Sequence, residues 1–472
     1  MYLRIYIYVI PPCCLRLEQR RTECQKPFMK RAFYLLAVSC GVTFSGQLHA
    51  QQSTDPLPTT ASLQDCIRYA LEHQPVIHQS VIDEAITDRS VKSKLADWYP
   101  QVQLDANLQH YLDLPTSIFG GNPTKVGVAN NSAATFTLNQ NLFTRDLLLA
   151  TNTAKDIRKQ IKQTTTRNKI DVVADVSKAY YDVLLTQQQI NVLSEDIVRL
   201  ERSLKDAVNQ YQSGVVDKID SKRATISLNN AKAQRKSALE LLIAKQAYLK
   251  NLMGYPANLG DIPVSSDTTK MVAEVNSSDT SVVADYHNRI EYQLLKTQES
   301  LLQANVKYNK WGYLPSVSAF VNYAFAWQNQ SFGQLYSNNY PNSLMGIKLS
   351  LPIFQGGKRV HNIRMAELQL ERNKWDFESL TNAVNTQYSQ AMAAYRSNLN
   401  DYLTLKENVA MAQDVYNLLQ LQYKEGIKTY LDVLISETEL RTAQLSYYNA
   451  MYQVLSSKID LQKALGTLTV NY

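Results

Sequence analysis

Two long stretches of the chain carry apolar residues at alternating intervals of three and four. Ile190, Leu193, Ile197, Leu200, Leu204, Ala207 and Tyr211 form the first series. Tyr402, Leu405, Val409, Ala412, Tyr416, Leu419 and Tyr423 repeat it 212 residues later. This is heptad spacing, the apolar stripe of a helix that packs on a partner helix. In both series the last tyrosine is followed three residues on by glycine (Gly214, Gly426), a helix stop, and six further on by Asp220 or Asp432. The aspartates fall at the start of a returning helix, so the pattern predicts two helical hairpins with tips at 211–220 and 423–432. No proline or glycine interrupts Arg145 to Tyr211 or Lys358 to Tyr423. At about 1.5 Å per residue, each outgoing helix would be about 100 Å long. The return helices end at Leu252-Met-Gly254 and Ala464-Leu-Gly466, again 212 residues apart.

Elsewhere the period is two. Val102, Leu104, Ala106 and Leu108 alternate with polar residues, as do Ala134, Phe136, Leu138 and Leu142. Val317, Ala319, Val321, Tyr323, Phe325 and Trp327 form a third alternation, and Ile347, Leu349, Leu351 and Ile353 a fourth. Strands are expected at 101–111, 133–143, 316–327 and 344–354. Each has roughly the length of a tilted membrane-spanning strand, and Tyr99, Tyr111 and Phe143 lie near the ends, where a membrane barrel places aromatics. Four strands cannot close such a barrel, and open edges in hydrocarbon leave N–H and C=O groups unpaired. If the strands span a membrane, several chains must share the barrel.

The expected organisation follows. Residues 1–28 read as a non-native N-terminal extension. Residues 29–50 form a signal peptide, with Met29-Lys-Arg31 ahead of an apolar run and Ala50 at the cleavage position. Lipidation at Cys40 is the alternative. A linker (51–61), a first repeat (62–254), an equatorial connector (255–281), a second repeat (282–466) and a tail (467–472) complete the chain. Within the first repeat, Ser62 caps one helix, Pro75 interrupts it, and the next runs from Val76 to Asp97; the second repeat opens with a helix from Ser281 to Trp311.

The net charge of +7 adds little to this picture. Beyond residue 50 the chain has 42 basic and 40 acidic residues, so the excess lies in the leader and gives nucleic-acid binding no support. Cys66 is the only cysteine after residue 50, which excludes an internal disulfide framework. The histidines show no metal-ligand spacing, and there is no triad, nucleotide loop or carboxylate pair, so neither enzymatic activity nor a cofactor is expected.

The combination resembles the TolC-type outer-membrane efflux proteins over residues 62–466. It is carried by Leu351-Pro-Ile-Phe-Gln-Gly-Gly-Lys358, by Trp98-Tyr-Pro100 and Tyr313-Leu-Pro315 ahead of strands, by the two Tyr-x-x-Gly tips and by the terminal Ala-Leu-Gly. The resemblance implies a mainly α fold with a membrane β-barrel portion. Three identical chains would share a 12-stranded barrel in outer-membrane lipid, above a periplasmic α-helical barrel. It also implies a passive exit duct that docks to a periplasmic adaptor protein and an inner-membrane transporter. The alternative is a non-transporting coiled-coil structural or adhesion protein of the cell envelope, which leaves the amphipathic strands unexplained.

The resemblance further implies site residues. Asp432 matches an acidic constriction ring, but Ile435 stands where the family has a second acid, so the aperture pairs one carboxylate ring with an apolar one. Tyr423, Lys428 and Asp220 match positions that latch the two hairpins shut. Lys428 replaces an arginine, exchanging a planar fork for a point charge. Gly214, Val215, Gly426 and Ile427 would dock the adaptor. Simpler readings stand beside these: Asp220 and Asp432 as acids at helix N-termini, Tyr211 and Tyr423 as core, and the glycines as helix stops.

Overall fold

The computed structural model describes residues 60–214, 217–256, 260–264, 271–272, 274–275 and 286–470. The expected extension, signal peptide, Cys40, Val215 and most of the connector lie outside the described residues.

Ser62 opens the first helix, α1 (Leu63–His73), with a capping box. Its hydroxyl accepts from Asp65 N–H at 3.2 Å, and the Asp65 carboxylate accepts from Ser62 N–H. The Ser62 hydroxyl, which also donates to Asp65 Oδ2 at 2.7 Å, and then the Ser62 N–H hold the Asp65 carboxyl below its usual range. Pro75 occupies the first turn of α2 (Pro75–Leu95), where its missing N–H costs nothing. A turn of 3₁₀ helix, Ala96–Trp98, leads into β1 (Gln101–His110). Then come β2 (Thr116–Phe119), β3 (Asn122–Lys125), β4 (Asn130–Phe143) and the outgoing and return helices α3 (Arg145–Gln212) and α4 (Lys218–Met253).

The second repeat contains α5 (Ile290–Lys310), β5 (Ser316–Asn329), β6 (Asn342–Ser350), α6 (Lys358–Lys424) and α7 (Tyr430–Leu465). Both return helices end on a left-handed glycine with Schellman bonding. Tyr255 N–H reaches Lys250 O, and Thr467 N–H reaches Gln462 O.

Several boundaries differ from the pattern. The strand expected at 133–143 begins at Asn130, and its partner continues to Asn329, because the ladder pairs Asn130 with Asn329. The first strand stops at His110 rather than residue 111. The last occupies Asn342–Ser350 rather than 344–354. Pro352 cannot donate to a ladder, and Ile353 and Phe354 lie exposed beyond it. The α5 helix begins at Ile290, after a short 3₁₀ turn at Tyr286–Asn288, rather than near residue 281. The polar loop after β1 contains the β2–β3 hairpin, turned by Gly120 and Gly121, both at positive φ.

β1, β4, β5 and β6 form one antiparallel sheet in the order β1-β4-β5-β6. The register puts the apolar sets on one face. Leu104 pairs with Phe136, Phe136 with Tyr323, Leu138 with Val321, and Val321 with Met345. Among the described residues most of this face is left uncovered, with Tyr336 packing on Trp327 at one end; Met345 is 79% exposed and Ile347 73%. β1 and β6 are open edges.

The core lies instead among the helices. Cys66, Ile67 and Ala70 of α1 pack with Val173, Tyr180 and Leu184 of α3, Leu249 and Met253 of α4, and Met451 and Leu455 of α7. Burial pushes the Cys66 thiol up to about 12, so it packs as an inert thiol. Ala61 bridges to Val264, and Tyr180 donates to Ala61 O, which ties this end of the hairpins to the connector.

The duplication reappears as a repeated close approach. A Cβ on Gly254 would sit 2.6 Å from His73 O, and one on Gly466 would sit 3.3 Å from Arg289 N. Gly214 has positive φ but open surroundings. Gly214→Ala is therefore expected to cost only left-handed strain, about 1 kcal/mol, whereas Gly254→Ala adds a backbone clash and costs about 2–4 kcal/mol. Thermal unfolding of the two variants should show a clearly larger loss for Gly254→Ala.

Candidate functional site

The tips are built by helix-ending chemistry. At the second, Gly426 (φ +74°) donates to Tyr423 O at 3.0 Å, and Ile427 N–H reaches Gln422 O at 2.9 Å, a complete Schellman closure. At the first, Gly214 (φ +76°) donates to Tyr211 O in the same way. Gly214, Gly426 and Ile427 are exposed.

α7 then starts with a second capping box. Asp432 N–H donates to Thr429 Oγ1 at 3.3 Å, and Asp432 Oδ2 accepts from Thr429 N–H (3.0 Å) and Oγ1–H (2.8 Å). The Thr429 hydroxyl, followed by its backbone N–H, holds the Asp432 carboxyl below the usual range. Among the described residues this cap uses only Oδ2 of the carboxylate. Ile435 lies one turn on, along the same helix face, and is half exposed. On the first tip, Asp220 sits in the first turn of α4, half-buried, behind the N-cap residue Asp217, which makes no side-chain cap bond.

The latch candidates do not form one bonded group. Tyr423 donates to Gln210 Oε1 at 2.7 Å, so α6 is tied to α3 through a glutamine. Burial, and next the nearby Asp220 charge, raise the Tyr423 hydroxyl. Lys428 is exposed and makes no ion pair among the described residues.

Two further features join the hairpins here. Tyr430, the first residue of α7, is buried against Ala207 of α3 and Ala224 of α4, with Tyr423 beside it at 6.0 Å between ring centres. Deeper along the helices, Asp196 and Arg199 of α3 meet Glu437 and Arg441 of α7. Arg441 Nη1 lies 3.0 Å from Asp196 Oδ2, Arg199 Nη2 lies 3.2 Å from Asp196 Oδ1, and Arg199 Nε lies 3.7 Å from Glu437 Oε1.

Neither feature was legible as a site. Tyr430 is a single aromatic at a helix start. The charges show opposite signs at helical spacing, three apart in one helix and four in the other, a signal that normally marks a solvated face.

Comparison with known proteins places this architecture. The family model described as outer membrane efflux protein matches residues 66–255 and 293–467, well over half of the chain. The chain is 24% identical over 309 residues to the probable efflux pump outer membrane protein TtgC of Pseudomonas putida, covering 65% of this chain and 62% of TtgC. The matched region thus spans less than two thirds of that relative. It is 24% identical over 365 residues to the outer membrane protein TolC of Escherichia coli K12, covering 72% and 70% of the two chains. Its fold is similar to that of the outer membrane protein VceC of Vibrio cholerae, with a TM-score of 0.68 at 14% identity over 86% of this chain and 96% of that one. With the matched model spanning both repeats, the chain belongs to the outer membrane efflux protein family.

Proposed function

We propose that this protein is a passive, gated exit duct of the outer membrane, serving a tripartite efflux or secretion system. The carrying observation is the four-stranded sheet: among the described residues one face is apolar and mostly uncovered and both edges are open, with β4 running directly into a 68-residue helix. In lipid the apolar face needs no cover, and edge-to-edge pairing between chains satisfies β1 and β6. Three copies would supply 12 strands and a closed barrel, with the polar face lining its lumen. The same number of hairpin pairs would continue the duct as a helical tube. On α6, Met411, Val415, Leu418 and Leu421 remain exposed within one chain, which fits helices that pack on neighbouring copies.

In this reading the tips form the periplasmic end. Gly214, Val215, Gly426 and Ile427 offer loops for a periplasmic adaptor, through which the duct reaches an inner-membrane transporter. Asp432 contributes a carboxylate ring around the axis and Ile435 an apolar ring beside it. Its cap role and its ring role are compatible, since the cap uses Oδ2. Tyr423, bonded to Gln210, is the latch contact, with Asp220 and Lys428 as its charged neighbours.

Purified protein in planar bilayers should give small, cation-selective currents, and Asp432→Asn should weaken the selectivity without abolishing channels. Unchanged selectivity would leave Asp432 as a helix cap alone. A well-folded preparation that forms no channels would contradict the duct. Tyr423→Phe removes one bond between hairpins, worth about 0.5–1.5 kcal/mol. Single-channel recordings of that variant should show an open fraction raised by roughly two- to tenfold, as such an energy implies.

A further inference from the structure

We propose that Glu437, set against Asp196, Arg199 and Arg441, is a proton-dependent clamp that holds the second hairpin on the first and lets go when Glu437 ionises. The mechanical part stands on the packing of α7 against α3; its consequence, opening of the periplasmic end, rests on the duct reading above.

The geometry makes the four charges unequal. Asp196 has no exposed side-chain surface and takes both guanidinium groups, Arg441 at 3.0 Å and Arg199 at 3.2 Å. Glu437 is 2% exposed, yet among the described residues neither of its oxygens accepts a hydrogen bond, and Arg199 Nε, 3.7 Å away, is buried and likewise makes none. A buried carboxylate without hydrogen bonds is unfavourable as an ion and tolerable as the neutral acid. Every element around Glu437 bears on this. α3 presents Asp196 and Arg199, α6 presents the Tyr416 hydroxyl, and α7 itself presents Arg441 and the unpaired Tyr430 hydroxyl. Arg202 lies further off, beside Tyr416. The apolar cluster between these helices holds Leu228 and Ala231 of α4 with Ile197 and Leu200 of α3, and Leu434 of α7 packs against it. Burial, and then repulsion by Asp196, raise the Glu437 carboxyl to about 7 against the pull of the two arginines.

The sign follows from linkage. With the hairpins docked, Glu437 holds its proton more tightly than a solvated glutamate, whose ordinary value is 4.5. Docking is therefore strongest below the ordinary value, weakens as pH rises towards 7, and is flat above it. The change amounts to about ten- to hundredfold in the docked-to-undocked ratio across this window.

The test is a distance measurement on the full-length, membrane-extracted protein. Spin labels at Val198 on α3 and Thr438 on α7, both exposed, report hairpin separation by pulsed electron resonance. Mixing with unlabelled chains leaves one labelled chain per oligomer. Between pH 5 and pH 8 the wild-type long-distance population should grow at least tenfold. Glu437→Gln, which fixes the uncharged state, should stay short at both values. If that variant fails to assemble, Glu437→Leu replaces it, and the wild-type pH series stands regardless. Identical wild-type distances at pH 5 and 8, or a glutamine variant that follows the wild type, would overturn the clamp. Parallel bilayer recordings separate the two readings. Channels that conduct without any distance change keep the duct and remove the clamp. Distances that respond in a protein forming no channels keep the clamp and remove the duct.

Discussion

A strand at the edge of a sheet presents a row of unpaired N–H and C=O groups, and in hydrocarbon each costs several kcal/mol. Among the described residues this chain carries two such edges, β1 and β6, on a sheet whose apolar face is left mostly uncovered. A soluble domain would bury that face under helices, but here the helices extend from the strands and form their own core at α1, α3, α4 and α7. In the proposed duct, the unsatisfied sheet is the constraint that calls for oligomer, membrane and lumen together.

The helical part carries a different tension. In the proposed duct its tips must be rigid enough to set an aperture and weak enough between hairpins to move. Within each tip the closures are local: Schellman bonds at Gly426, a capping box at Thr429 and Asp432. Away from the tips the hairpins share a core and the Lys178–Asp460 and Lys463–Asp171 ion pairs; towards the tips they are joined by a neutral hydrogen bond from Tyr423 to Gln210, a buried ring at Tyr430, and a charge cluster around Asp196. Local bonds fix the shape of each hairpin, while the contacts near the tips bear on how firmly one tip holds the other.

Much of the fold was legible because its signals are local. Heptads at Ile190–Tyr211 report a helix wherever its partner lies, and a glycine after the stripe stops it. The strand ends were less legible, because the ladder partner determines them; Asn130 joins β4 by pairing with Asn329 across the sheet. The β2–β3 hairpin escaped because four-residue strands, one of them containing Pro123, carry no period. At the tips, the position of Asp432 was readable but its bond to Thr429 was not. Gln210, Tyr430 and the Glu437 cluster depend on contacts between residues more than 200 apart, and sequence spacing along one helix says nothing about what faces it.

The most direct test is whether β1 of one chain pairs with β6 of another. Cysteine at Gln103, combined in turn with cysteine at Leu344, Gly346 or Lys348, places thiols on the polar face of the two edge strands. Oxidation of the membrane-extracted protein should give, for at least one pair, a covalent ladder ending at three chains, with the single cysteines staying monomeric on denaturing gels. A ladder that stops at two or passes three would contradict the shared 12-stranded barrel. Cross-links confined within one chain, or none from any pair in well-folded protein, would contradict it more deeply.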